Sequence, residues 1–380
     1  MGKINKILVV FGTRPEAIKM ASVIKELKKS FHVKVCVTAQ HRQMLDQVLS
    51  LFEIKPDHDL NLMTQNQDLY GLSNNILREV KTVLQVEEPD LVLTHGDTTT
   101  TFMASLAAFY SQIPVGHVEA GLRTNEIYSP FPEEMNRQLA SRLSKFHFCP
   151  TERSKDNLIK ENIEEQYIYV TGNTVIDSMF SVLGKARDLD FEKEVLKEAP
   201  ILKDQEEQKR GRLILVTGHR RESFGEGFKN ICSSLKLLAR RNPEISIIYP
   251  VHLNPNVKDP VNKELGKIRN IYLTKPLEYL PFLKLLDLCS FVLTDSGGIQ
   301  EEAPSLGKPV LVMRENTERP EAVEAGTVKL VGTNVDEIVS SSESLLFNQE
   351  IYTMMSKSHN PYGDGNASSR ISKIIKDFNN

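Results

Sequence analysis

Three sets of residues in this chain have types and spacing suited to chemistry. The first lies in residues 294–309, TDSGGIQEEAPSLGKP, after the short apolar run Phe291–Thr294. Asp295 and Ser296 are N-cap types, Gly297 and Gly298 come next, and residues 299–306 read as helical. A strand–glycine–helix unit points bare backbone N–H groups and the positive end of a helix dipole at one spot, which suits a phosphate. Glu302, about one turn inside that helix, is suited to accept a hydrogen bond from a sugar hydroxyl. The plainer alternative is a βα turn whose glycines only ease chain reversal.

The second set is acidic. His95-Gly96-Asp97-Thr98 and HVEAGLRT (117–124) each end an apolar run, and FPEEMNR (131–137) starts a helix. Asp97, Glu119 and Glu133 therefore converge if these elements share one sheet edge, with Arg123 and Arg137 available to hold them. Each acid also has an ordinary reading: Asp97 as a turn former among threonines, Glu133 as a first-turn acid. His95 beside Asp97 hints at a metal, but no third ligand has convincing spacing, so no metal is expected. The third set is basic. Arg14 and Lys19 follow the first strand, and His219 stands just past a later one with Arg220 and Arg221 behind it.

The elements that must position these groups alternate along the chain. KILVVF (6–11) reads as a buried strand that Gly12, Thr13 and Arg14 turn into a helix. Thr13 with Glu16 forms a capping box, and Pro15 fits the first helical turn. Strands follow at 33–38, 91–95, 115–118, 146–149 and 168–170, with helices at 44–52, 69–86 and 100–111. A charged, weakly patterned stretch at 184–212 reads as a surface helix plus linker. The rhythm then restarts with strands at 213–217, 245–250, 271–274, 291–294, 310–313 and 328–331, and helices at 228–241 and 279–286. This βαβα order predicts parallel sheets covered on both faces, and ligands of open α/β sheets bind at the carboxyl edge. A turn-rich link at 359–365 leads to a last amphipathic helix, 367–378, with Ile371, Ile374, Ile375 and Phe378 on one side. The expected fold class is α/β, with two Rossmann-like domains whose parallel sheets face a central cleft. Their bounds are 1–175 completed by 362–380, and 176–361, the C-terminal helix crossing back to the first domain.

Composition narrows the function. A chain of 380 residues with 40% apolar content can build two such cores. The net charge of −3 with mixed signs gives no polybasic surface, so neither nucleic acid nor membrane insertion is expected. Cys36, Cys149, Cys232 and Cys289 are scattered without metal spacing and read as buried thiols of a reducing cytosol. The run at 7–11 is a strand's length rather than a signal sequence, and Lys6 replaces the Ser or Thr that myristoylation needs. A cytoplasmic protein is expected.

Several motifs together carry a resemblance. GTRPEAIKM (12–20), HGDTTTT (95–101), HVEAGLRT (117–124), PFPEEMNR (130–137), GHRRE (218–222), residues 294–321 and NPYGDG (360–365) resemble the bacterial non-hydrolysing UDP-N-acetylglucosamine 2-epimerases. They occur in the family's order over nearly the whole chain. The resemblance implies a GT-B fold and reversible interconversion of UDP-GlcNAc and UDP-ManNAc without a redox cofactor, supplying surface polysaccharide synthesis. It implies catalytic roles for Asp97, Glu119, Glu133 and His219, and UDP contacts for Arg14, Phe282, Ser296, Gly297, Gly298 and Glu302, with Lys19 beside them. It also implies a homodimer and a second, activating UDP-GlcNAc site at Gln40, Gln43, Glu133, Arg220 and His252. Asn66 stands where some members have an activator-binding Arg.

The chemistry supplies its own argument. The sugar C2 proton is not α to a carbonyl, so it becomes acidic only as the C1–O bond to UDP breaks. A carboxylate must take the proton, donors must meet charge growing on UDP, and return of a proton to the other face of C2 gives the epimer. Two faces require at least two acid–base groups. Rival expectations are a hydrolysing epimerase releasing ManNAc and UDP, a GT-B glycosyltransferase with an acceptor site, and a non-catalytic UDP-sugar sensor.

Overall fold

The computed structural model describes residues 2–39, 42–62, 68–203, 212–220 and 223–379, with the backbone alone at 42–44. Two compact units emerge. One is Met1–Ser181 with Tyr362–Asn380, and the other is Val182–Pro361.

The first unit starts with β1 (Lys6–Phe11), α1 (Arg14–Leu27), β2 (His32–Val37), α2 (Arg42–Leu51) and the two-residue β3 (His58–Asp59). Next come α3 (Leu69–Glu87), β4 (Leu91–His95), α4 (Thr99–Tyr110), β5 (Val115–Val118) and α5 (Glu133–Leu143). It ends with β6 (Phe146–Cys149), α6 (Glu152–Lys160), β7 (Ile168–Val170) and α7 (Thr174–Asp188), inside which the unit boundary falls. All seven strands are parallel, in the order β3-β2-β1-β4-β5-β6-β7. Ile7, Leu8, Val9, Val10 and Phe11 are wholly buried, as expected for a strand covered on both faces by apolar helices. Strand order reverses between β1 and β4. Ligand sites of doubly wound sheets form at that switch, past the carboxyl ends of the strands.

The second unit contains α8 (Lys193–Glu198), β8 (Arg212–Thr217), α9 (Glu226–Arg241), β9 (Ile245–Pro250) and α10 (Pro255–Leu265). After these come β10 (Ile271–Thr274), α11 (Tyr279–Leu288), β11 (Phe291–Thr294), α12 (Ile299–Ser305) and β12 (Val310–Val312). It closes with α13 (Pro320–Glu324), β13 (Val328–Leu330), α14 (Val335–Phe347) and α15 (Gln349–Lys357). Its six strands are also parallel, in the order β10-β9-β8-β11-β12-β13. The switch here lies between β8 and β11. Its core is aliphatic and aromatic, with Ile214, Phe228, Ile247, Tyr249 and Phe291 fully buried.

The last helix, α16 (Ala367–Asp377), belongs to the first unit and packs on α1. Ile371 and Ile375 are buried, and the Phe378 ring meets Phe146 edge-on at 4.9 Å. Asp177 on α7 caps its start, accepting from the backbone N–H of Ala367 (3.1 Å) and Ser368 (2.7 Å). The capping box at α1 is present, with Glu16 Oε2 accepting from Gly12 N (3.0 Å) and Thr13 N (2.8 Å). In the charged stretch the chain forms α8 and a 3-10 turn, Pro200–Lys203, while 204–211 lie outside the described residues. All four cysteines are buried free thiols. No helix among the described residues is long and apolar enough to cross a membrane.

Candidate functional site

Next to the switch of the first sheet, β4 and β5 run side by side with His95 paired to Val118. The residues leaving their carboxyl ends are therefore neighbours, and these include Asp97 and Glu119. Glu119 has φ +64, a left-handed conformation that costs an L-residue on the order of 1–2 kcal/mol and recurs at functional positions. That turn aims its carboxylate into a ring of donors. The Lys19 ammonium pairs with Oε2, Asn173 Nδ2 donates to the same oxygen at 2.9 Å, and His95 Nε2 lies 3.7 Å away. Lys19, expected at the nucleotide, thus has its charge on an acid.

Asp97 is held differently. Arg137 Nη2 donates to its Oδ2 at 2.6 Å, and Asn136 Nδ2 to its backbone carbonyl at 2.9 Å. Burial pushes the Asp97 carboxyl upward. Arg137 opposes this, Glu119 and Glu133 add to it, and Lys19 opposes it more weakly. One carboxyl group thus feels all the charges of the cluster. Glu133, the first residue of α5, is half-buried.

Two histidines complete the surroundings. His117 Nε2 lies 2.6 Å from the Gly96 carbonyl, to which it donates, tying the β4 turn to β5. Burial lowers its pKa to about 4. His95 is buried with neither ring nitrogen hydrogen-bonded among the described residues, and burial lowers its pKa to about 3. Both rings are neutral near pH 7. Arg123 does not join the acids as expected. It pairs with Glu161 at 2.6 and 2.9 Å and donates to Ser141, because α6 brings Glu161 against it. Arg14, at the start of α1, is half-buried.

In the second sheet, β8 and β11 are neighbours with Thr217 paired to Thr294, their Oγ1 atoms 2.6 Å apart. Asp295 departs from the sequence expectation. It does not cap the next helix, whose N-cap is Gly298. Its buried Oδ2 instead accepts from the backbone N–H of His219 (2.7 Å) and Arg220 (2.8 Å). Asp295 Oδ1 lies 3.2 Å from His219 Nδ1. Partial burial lowers the His219 pKa, Arg220 and His252 push the same way, and Asp295 opposes them. Ser296 N donates to Thr294 Oγ1 at 2.9 Å. Gly297 must be small, since a Cβ there would sit 2.6 Å from Arg319 Nη1. Arg319 is buried and fixed by Glu301 Oε1 at 2.6 Å. Glu302 is nearly buried on α12, and Phe282 is half-buried on α11.

Around His219 stand two residues expected at a second ligand site. His252 is exposed and stacks on the His219 ring at 5.7 Å, and Arg220 Nη2 lies 3.4 Å from Glu318. Gln40 and Asn66, and the side chain of Gln43, lie outside the described residues. Sequence reasoning missed Asn173, the turn of Asp295 toward His219, and Arg319. Only Asn173 had a signal, as a polar residue just past the strand Ile168–Val170.

The chain was compared with known proteins. A family model described as UDP-N-acetylglucosamine 2-epimerase matches residues 25–376. The chain belongs to the UDP-N-acetylglucosamine 2-epimerase family. It is 55% identical over 376 residues to the UDP-N-acetylglucosamine 2-epimerase of Salmonella typhimurium, covering 98% of this chain and 99% of that one. The Escherichia coli enzyme of the same name is 55% identical over 374 residues, 98% of each chain. Among solved structures, the UDP-GlcNAc 2-epimerase from Neisseria meningitidis bound to UDP-GlcNAc is similar with TM-score 0.90 and 54% identity, over 98% of this chain and 100% of that one. The Methanocaldococcus jannaschii enzyme in complex with UDP-GlcNAc and UDP is similar with TM-score 0.80 and 32% identity, over 98% and 99%. Family membership makes the protein an isomerase, and its two parallel-sheet domains are of the GT-B-like kind.

Proposed function

We propose that this epimerase interconverts UDP-GlcNAc and UDP-ManNAc without hydrolysis, by eliminating UDP to 2-acetamidoglucal and adding it back. The observation that carries the reading is the acid cluster, in which Asp97 is influenced by Glu119, Glu133, Arg137 and Lys19 at once. Inverting C2 needs acid–base groups for its two faces, and three acids at one sheet edge can supply them. In the forward direction the C2 proton passes to a carboxylate, and the C1–O electron pair leaves with UDP as the C1–C2 double bond forms. In the return, a second group protonates C2 from the opposite face while the UDP oxygen bonds C1. Arg137 and Lys19 keep the cluster from accumulating uncompensated charge, so that one acid can hold a proton while another is ionised.

UDP leaves with growing negative charge, and donors fixed in advance for that charge are worth most. His219, beside Asp295, takes this role with the N–H groups at 297–298 and Arg14. An approaching diphosphate opposes the lowering of the His219 pKa and favours the protonated ring. Glu302 and Phe282 hold the nucleoside portion. No added NAD or divalent metal is required by this scheme. We further infer a cytoplasmic homodimer feeding surface polysaccharide synthesis. A second UDP-GlcNAc bound near His252 and Arg220 is the activator, and the stacking of His252 on His219 supports it. Product analysis tests the main reading. Intact UDP-ManNAc from UDP-GlcNAc is expected, and free ManNAc with UDP would replace it by the hydrolysing reaction.

A further inference from the structure

Glu119 stands on a strained turn, so something outside that turn must fix where its carboxylate points. Lys19 brings charge but hangs on a flexible stem. The short, buried donor is Asn173, 2.9 Å from Oε2. Its amide is oriented unambiguously: Oδ1 accepts from Val175 N at 3.1 Å, which leaves Nδ2 to donate to Glu119. The backbone N–H of Asn173 is itself bonded to the Tyr362 carbonyl at 2.7 Å. Tyr362 is fully buried, and Gly363 (φ +125) lies against Gly172, where a Cβ would meet Gly172 Cα at 3.3 Å. Arg370 closes the other side, donating to the Thr171 carbonyl at 3.0 Å and holding Asp364 with two bonds of 2.8 Å.

We propose that Asn173 is a positioning residue for Glu119, and that residues 362–365 at the C-terminus form the brace that holds Asn173 in place. The inference rests on the reading of Glu119 as an acid–base group. It gives the NPYGDG motif a task in the reaction beyond turning the chain. A neutral amide suits that task. It stabilises the carboxylate by a hydrogen bond without adding a charge that would lower its basicity further. Among the described residues, the charged and titratable groups facing Glu119 include Lys19 from α1, His95 and Asp97 from the β4 end, and His117 from β5.

The test replaces the donor by an acceptor of nearly equal size. In Asn173→Asp two carboxylates lie within hydrogen-bond distance and share a proton. The acid limb of the kcat/KM profile for UDP-GlcNAc should move up by at least about one pH unit, so activity falls by up to about tenfold on that limb and recovers as pH rises. Asn173→Ala should lower kcat with KM little changed and without that recovery. Gly363→Ala should act in the same direction and fall short of additivity with Asn173→Ala. A purely structural role moves melting temperature but not the position of the limb, so melts are recorded for each variant. Asn173→Ala carries the test if Asn173→Asp does not fold. Glu119→Gln is measured beside them. If it turns over like wild type, the reading of Glu119 fails. If it is inert while both Asn173 variants keep wild-type kcat and pH profile, the positioning role alone is overturned.

Discussion

Replacing Arg137 by Met asks how the acid cluster stays usable at neutral pH. Arg137 is buried, with Nη2 2.6 Å from Asp97 Oδ2. Burial, Glu119 and Glu133 all push the Asp97 carboxyl upward, and Arg137 is the strongest opposing influence, ahead of Lys19. An opposite charge at such range shifts a carboxyl by about 1–3 units, or about 1.4–4 kcal/mol of preference for the ionised form. Removing it should raise the Asp97 pKa further, so the ionised base returns only at higher pH. Because the carboxylates titrate together, the observable is the acid limb of the cluster rather than one residue's pKa. The assay is kcat/KM for UDP-GlcNAc against pH, which reports the free enzyme. The limb should move up by at least about one unit in Arg137→Met. Arg137→Lys, which keeps the charge, should stay close to wild type. Arg137 Nη1 also lies 3.5 Å from buried Glu134, so melting is followed in parallel. A folded Arg137→Met enzyme whose profile superimposes on wild type would refute the electrostatic argument.

The remaining predictions concern chemistry, the nucleotide and activation. Asp97→Asn, Glu119→Gln and Glu133→Gln should each lower kcat by about 10²-fold or more. His219→Ala should cost about 2–4 kcal/mol in kcat, the scale of one lost oxyanion donor. Calorimetric titration with UDP-GlcNAc should show binding far less affected, and near-normal turnover in all four would misplace the site. Gly297→Ala puts a Cβ 2.6 Å from Arg319 Nη1, so UDP should bind about tenfold more weakly, as read by titration with UDP alone. Unchanged affinity would remove the glycine pair 297–298 from the nucleotide. With UDP-ManNAc as sole substrate, progress curves should show a lag that traces of UDP-GlcNAc abolish, since an activator must bind one state better than another. Curves without a lag, altered by UDP-GlcNAc only through competition, would remove the second site.

Much of the fold was legible because the parallel strands are continuous apolar runs between turn signals. Lys6–Phe11 and Phe291–Thr294 announce themselves by composition alone. His58–Asp59 does not, being two polar residues at a sheet edge. The acids could be gathered because βα alternation sends every strand's carboxyl end to one edge. Which cation meets which acid could not be read. Arg123 and Arg137 look equivalent in sequence, yet α6 supplies Glu161 to the first and leaves the second to Asp97. Asp295 looks like a cap, but β8 lies beside β11, and unpaired N–H groups at His219 and Arg220 outcompete the helix. The positive φ of Glu119 and the approach of Tyr362 to Asn173 arise from tertiary packing and leave no local trace.

The central claim is that the C2 proton leaves and returns while UDP is detached, and epimerisation in D2O tests it most directly. NMR at C1 and C2 should show deuterium replacing the C2 hydrogen in UDP-ManNAc formed from UDP-GlcNAc, with both sugars still linked to UDP. It should do so without added NAD or divalent metal. Turnover that retains the original C2 hydrogen would contradict elimination and re-addition, whatever the fate of the acid variants.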